Sequence, residues 1–116
     1  LATGAAWRQQ ARAEFGKHKV PTLRNVDKRP SADFVKAFGH NGYFKSLKEI
    51  VHFYNTRDTL PVCAPGDAGE RVSCWPMPET ALNMNDDELG DLGLTEAEEE
   101  AIVAFMQTLT DGYTGK

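Results

Sequence analysis

Apolar positions recur at helical spacing in only a few stretches of the chain, and the clearest is the last. Ile102, Phe105, Met106 and Leu109 fall at i, i+3, i+4 and i+7, one stripe of a helix. Thr95 and Glu98 precede them as a T-x-x-E capping box, and acids crowd the first turn, where the helix dipole favours them. Gly112 marks the end. A second helix is predicted to open at Ser46, with Glu49 three residues on, and to stop near Asn55. Its stripe is Leu47, Ile50, Val51 and Tyr54, which points Tyr54 inward with the apolar face. A weaker helix is expected over roughly Ala5 to Phe15, and a short one over Ala32 to Phe38.

Strand-type alternation is almost absent. Residues 57–94 are punctuated by Gly and Pro and hold no sustained period. A loop this long in a small domain is usually functional or wrapped around something. The pattern therefore predicts an all-α fold with long ordered loops and little core of its own.

Length and charge narrow the picture. At 116 residues and 41% hydrophobic content, residues 1–116 suit one small domain. A net charge of −4 argues against nucleic acid as a partner. No run of eighteen apolar residues occurs, so no membrane span is predicted. The chain opens on Leu1 without a charged segment and apolar core behind it, which reads as a processed chain or a fragment. Residues 1–54 carry ten Lys or Arg against four acids, whereas residues 76–116 carry ten acids against Lys116. Such asymmetry either orients a docking partner or joins two faces within the fold.

Cys63 and Cys74 are separated by ten residues. The spacing matches neither C-x-x-C nor C-x-x-C-H, and no His lies between or beside them to complete a zinc site. The loop they bracket is rich in Gly and Pro. It favours a disulfide, and hence an oxidising compartment, over two buried thiols.

Three stretches then carry a resemblance. Gly16-Lys17-His18-Lys19-Val20-Pro21-Thr22-Leu23-Arg24-Asn25-Val26 is similar to G-K-F-K-x-P-T-L-R-N-V. Gly39-His40-Asn41-Gly42, running through Leu47 to Val51, is similar to F-H-D-G-x-x-x-T-L-E-E-V-V. Leu92-Gly93-Leu94-Thr95 to Glu98, with Val103 to Leu109, is similar to L-x-L-T-x-x-E followed by V-A-F-L-x-T-L. In this order they resemble the C-terminal portion of the bacterial di-haem cytochrome c peroxidase family, which includes the MauG-like enzymes. Members of that family carry two C-x-x-C-H haem attachment motifs upstream of P-T-L-R-N, and this chain has neither. The connection between Asn25 and His40 is also longer than the family's, so its interdomain calcium is carried over to no residue here.

The resemblance implies a cytochrome c-like helical domain portion working with haem c attached to another chain or segment. It implies a periplasmic peroxidase that reduces hydrogen peroxide or performs a MauG-like oxidation, with a haem-bearing chain and a small electron-donor protein as partners. The alternative is an electron-transfer cytochrome without peroxidase turnover. A third possibility is a haem-free module that only retains the fold.

Tyr54 stands fourteen residues after His40, at the family position of the distal axial ligand, where peroxidases place Met and MauG-like enzymes Tyr. A phenolate there stabilises ferric iron. The alternative is a core tyrosine whose hydroxyl reaches a backbone carbonyl. The resemblance places His40 near the haem pocket; otherwise it is a turn histidine held by backbone bonds. Met77 and Met84 lie where single-haem cytochromes place an axial Met, and rival Tyr54. Arg24 and Asn25 would bind haem propionates or, alternatively, stabilise their own loop. His52 is expected at the solvated surface, His18 in partly buried packing and Met106 in the core. Trp75 is expected at a haem edge or docking surface, or packed over the disulfide.

Overall fold

The computed structural model describes residues 4–115. Three helices are present among them, α1 (Ala5–Ala13), α2 (Leu47–Thr56) and α3 (Glu96–Thr108), and β pairing is confined to isolated bridges. The helical class follows the apolar periodicity, and long loops join the elements.

Local signals explain where the helices begin. Thr95 caps α3 with both halves of the box formed, Thr95 accepting from the Glu98 amide and Glu98 from the Thr95 amide. At α2 the Ser46 hydroxyl accepts from the Glu49 amide at 3.1 Å, but the Glu49 carboxylate reaches one residue further back, to the Lys45 amide. Helix α1 ends two residues before the expected Phe15, and none of its residues is buried. From the distant loop, Asn83 Nδ2 donates to the carbonyls of Arg12 and Phe15, at 2.8 and 3.0 Å, and so covers the helix's C-terminal end.

The helix expected over residues 32–38 does not form. A turn at Ala32 and Asp33 is followed by extended chain, and Phe38 bridges antiparallel to Phe44. Gly39 and Gly42, with φ of 78° and 69°, make the reversal between them possible. Lys36 Nζ donates to the carbonyls of Asn25 and Lys28, both at 3.1 Å. A stretch of two turns has little stability of its own, so these tertiary bonds decide its conformation.

The core is one cluster of Phe38, Phe44, Leu47, Val51, Trp75 and Met106, where α2 packs on α3. Two expected stripes are corrected here. On α3, Met106 is buried with Glu99 and Val103 is partly buried, while Ile102 and Phe105 face outward, Phe105 at 59% exposure. On α2 the inward positions are Leu47, Val51 and Asn55, one turn apart, and Tyr54 is 46% exposed. Both rotations have one cause: Asn55 and Glu99 bond each other inside the interface and bring their own helix faces with them.

The segment 61–75 folds onto α2 as a closed loop. Cys63 and Cys74 are disulfide-bonded with Cα atoms 5.1 Å apart. The Cys63 amide donates to Trp75 O and the Trp75 amide to Pro61 O, which brings the two arms together. Trp75 is buried at 2% exposure against Phe44 and Phe53 rather than at an edge, and its Nε1 donates to Thr56 Oγ1 at 3.1 Å. Closing a loop of this size restricts the unfolded chain by about 2–3 kcal/mol. Reductant is expected to lower the unfolding free energy of the protein by that amount, read in paired denaturant titrations with and without it.

The two charged halves meet within the fold. Lys48 of α2 pairs with Glu96 and Glu100 of α3 at 2.9 and 3.3 Å, and Arg24 pairs with Asp111 at 3.0 Å. The chain is nevertheless open. Its radius of gyration is 17.0 Å, against about 13 Å for a compact domain of this length.

Candidate functional site

The C-terminal turn of α2 is anchored from α3, from residue 72 and from residues 90–94. Glu99, 4% exposed, accepts from Asn55 Nδ2 at 2.6 Å, and the His52 Nδ1 atom lies 3.0 Å from the same carboxylate. His52 Nε2 lies 3.0 Å from the Val72 carbonyl, so whichever ring nitrogen carries the proton, an acceptor faces it. Asn55 also pairs with the backbone of Leu94 in both directions, at 2.9 Å each way. Sequence reasoning missed this cluster: it put His52 in solvent and read Asn55 only as a helix stop. The one available signal was a polar Asn at an inward-facing α2 position.

A second set of bonds stitches the loop 85–92 to the same turn. The Gly90 amide donates to Tyr54 O at 2.6 Å and the Leu92 amide to Asn55 O at 3.1 Å. The Asp58 amide donates to Gly90 O, and Arg57 Nη2 to Asn85 O, at 2.8 and 2.6 Å. The Arg57 guanidinium also holds the Asp58 carboxyl below its usual range through a direct hydrogen bond. Gly90 has φ of 109°, and a Cβ there would collide with the Asp58 carboxylate, so only glycine admits this approach.

Within this rigid frame the Tyr54 side chain is left outward. Its ring stands 6.1 Å from Phe53, and its hydroxyl has no hydrogen-bond partner among the described residues. The core role with a backbone carbonyl is therefore not what the structure contains. Met84 is 40% exposed and sits between Asn83, bonded to the end of α1, and Asn85, bonded to α2 through Arg57. The loop from residue 85 is thus tied to the end of α2, with Met84 immediately before it in the chain. Met77 is 68% exposed and takes part in no such ties. Leu82 and Leu92 are also exposed, at 53% and 44%.

His40 occupies the Gly39–Gly42 turn, closed by the Gly42 amide donating to Gly39 O at 3.3 Å. Its ring stacks on His18 with centroids 4.0 Å apart. Both are exposed, so His18 is not in the partly buried packing expected for it. Arg24 and Asn25 grip the end of α3. Arg24 donates to both carboxylate oxygens of Asp111, and Asn25 exchanges bonds with its side chain and amide at 3.0 and 2.8 Å. These bonds hold the Asp111 carboxyl below its usual range. Asn25 adopts φ of 59°, and its amide donates to Leu109 O at 2.8 Å, so the P-T-L-R-N run acts as a latch across the fold.

No cluster of three or more metal-ligating side chains occurs among the described residues, and no helix there is long and apolar enough to cross a membrane.

Comparison with known proteins identifies the family of the sequence. No family model matches the chain, and no solved structure matches it. Among curated proteins, the methylamine utilization protein MauG of Paracoccus denitrificans (strain Pd 1222) is 36% identical over 100 residues, 85% of this chain and 24% of its own length. The cytochrome-c peroxidase IdrP1 of Denitromonas iodatirespirans is 31% identical over 97 residues, 84% of this chain and 19% of its own length. The chain thus spans about a quarter or less of the relatives it matches. Across that span it belongs to the MauG and di-haem cytochrome c peroxidase-like family.

Proposed function

We propose that this chain forms the distal wall of a haem c pocket in a peroxidase-like oxidoreductase of that family, with Tyr54 facing the iron. The observation that carries the reading is an outward phenol, without a hydrogen-bond partner among the described residues, on a turn held by Glu99 and Gly90. An axial ligand needs that combination, because its oxygen must be available and its position fixed. With no C-x-x-C-H in its 116 residues, the chain takes its haem from another chain or segment.

The residues present fit such a group. Leu82, Met84 and Leu92 are exposed apolar side chains of the kind a macrocycle covers, and Tyr54 offers an oxygen ligand. When bound, the haem supplies the iron chemistry of hydrogen peroxide reduction or peroxide-dependent oxidation. The chain's own work is to hold: Gly90 and Asn55 fix the turn that presents Tyr54, and the loop 85–92 closes over its flank. Arg24 and Asn25 act on Asp111, which supports their loop-fixing role over propionate binding. His40, at the solvent side of its turn, is assigned to the pocket's edge. The Gly/Pro loop closed by a disulfide supports a periplasmic setting, with a haem-bearing chain and a small electron-donor protein as partners.

A haem stain of the purified protein on a denaturing gel tests the reading. A stained band that accompanies this chain, or that contains it within a longer polypeptide, is expected, together with peroxide consumption. A haem-free protein overturns it. The 116-residue chain by itself is expected to give no sharp thermal transition, because its core is small and its surface carries many large apolar side chains. A sharp monomeric transition would show that it folds without a haem-bearing partner.

A further inference from the structure

A second group of aromatic side chains lies on the inner side of α2, away from the outward face of Tyr54. Tyr43 is half-buried, and its hydroxyl donates to Glu70 Oε1 at 2.5 Å. The Arg71 guanidinium lies over the same ring, 5.6 Å from its centroid. From Tyr43 the rings run without interruption. Phe44 is 5.0 Å away, Phe53 lies 5.2 Å beyond it, and Tyr54 a further 6.1 Å. Trp75 flanks the middle of this row, 6.2 Å from Phe44 and 5.1 Å from Phe53.

We propose that Tyr43 and Glu70 are a redox-active tyrosine–carboxylate pair, connected through Phe44, Phe53 and Trp75 to an oxidant seated beyond Tyr54. The proposal rests on the haem reading for the identity of that oxidant, namely hydrogen peroxide acting at the haem. The step balances as a proton-coupled oxidation. The Tyr43 O–H bond breaks, its proton passes to Glu70 Oε1, and one electron leaves through the rings, with Trp75 as the readily oxidised stepping stone. Tyr43 thus supplies one of the two electrons that convert one hydrogen peroxide to two waters. A one-electron donor protein supplies the second and later re-reduces the tyrosyl radical. Solvent supplies the two protons consumed, and Glu70 returns its own proton to Tyr43 on re-reduction.

The surroundings select this chemistry over the alternatives. A guanidinium over the ring opposes a positive charge on it, so the proton must leave with the electron. A carboxylate already bonded to the phenol receives that proton without rearrangement. Loss of the proton alone is disfavoured, because burial, the Glu70 bond and the Glu70 charge all raise the Tyr43 pKa well above its usual value, with Arg71 opposing. The disulfide loop delivers both partners. Glu70 bridges to Cys74, and the Arg71 amide donates to Cys74 O at 3.1 Å from a left-handed backbone, φ 71°. A non-glycine residue held at such an angle marks a position that its surroundings over-determine.

The test uses the protein in its native assembly with ring-deuterated tyrosine, oxidised in two ways and examined by freeze-quench electron paramagnetic resonance. Hydrogen peroxide supplies the oxidant in one arm. A photo-oxidised ruthenium polypyridine complex supplies it in the other, independently of haem. A tyrosyl signal narrowed by deuteration is expected in both arms. Tyr43→Phe, which keeps the ring in its packing, is expected to abolish it, and Glu70→Gln to diminish it. A signal that persists unchanged in Tyr43→Phe, or none in the ruthenium arm, overturns the pair. A signal in the ruthenium arm alone overturns the connection to peroxide if haem is present. If haem is absent, the same result leaves the pair standing and overturns the haem reading instead.

Discussion

Tyr54→Phe is expected to change the absorption and paramagnetic resonance spectra of the haem in the assembled protein while leaving the fold intact. The ring is half out of the chain's own packing, and the hydroxyl bonds nothing among the described residues. Its loss should therefore cost the fold no more than about 0.5 kcal/mol, as surface substitutions do. Removing a phenolate from ferric iron removes the ligand that stabilises the higher oxidation state, so the reduction potential is expected to rise. Met84→Leu provides the contrast, because the thioether is also exposed and is held by the same stitched loop. An unchanged spectrum in Tyr54→Phe with an altered one in Met84→Leu transfers the role to Met84. Unchanged spectra in both remove the iron from this surface altogether.

That prediction concerns a residue singled out by its spacing from His40, yet its surroundings differ from those the apolar stripe implied. Periodicity placed Tyr54 inward because it treats every apolar position of a helix as core-facing. The stripe marks apolar positions, but which of them this chain itself covers follows the Asn55–Glu99 bond between α2 and α3. Phe105 and Ile102 on α3 depart from expectation in the same direction. The helix starts were legible, since capping lies within four residues of sequence. So was the tie between Cys63 and Cys74, since their loop has few other means of order. What could not be read were bonds between distant residues: Glu99 with Asn55 across 44 positions, and Tyr43 with Glu70 across 27. No local pattern records those pairings. Glu99 looked like one more acid favoured by the helix dipole, and the extended course of residues 32–38 is likewise set by Lys36 reaching Asn25 and Lys28.

Glu99→Ala is expected to be among the most destabilising single changes in the chain, at about 3 kcal/mol, the scale of breaking a buried charged network by removing one partner. The carboxylate is almost wholly buried and gathers Asn55 and His52 from two turns of α2. Deleting it leaves Asn55 Nδ2 with Leu94 O alone, leaves His52 Nδ1 with no acceptor, and opens a space between α2 and α3. Glu98, its neighbour on α3, is the internal control. That carboxylate is exposed, and its bonds to Thr95 lower its pKa, but it serves only the capping box. Glu98→Ala should therefore cost much less, since only the reciprocal capping-box bond is lost. Denaturant unfolding of the two variants in the assembled protein makes the comparison, and a Glu98→Ala loss equal to or above that of Glu99→Ala refutes the buried network. The positions touched by Glu99 flank Tyr54 on both sides. Loosening them should therefore also broaden the haem spectrum with Tyr54 itself intact, an effect that loss of the exposed cap at Glu98 would not produce.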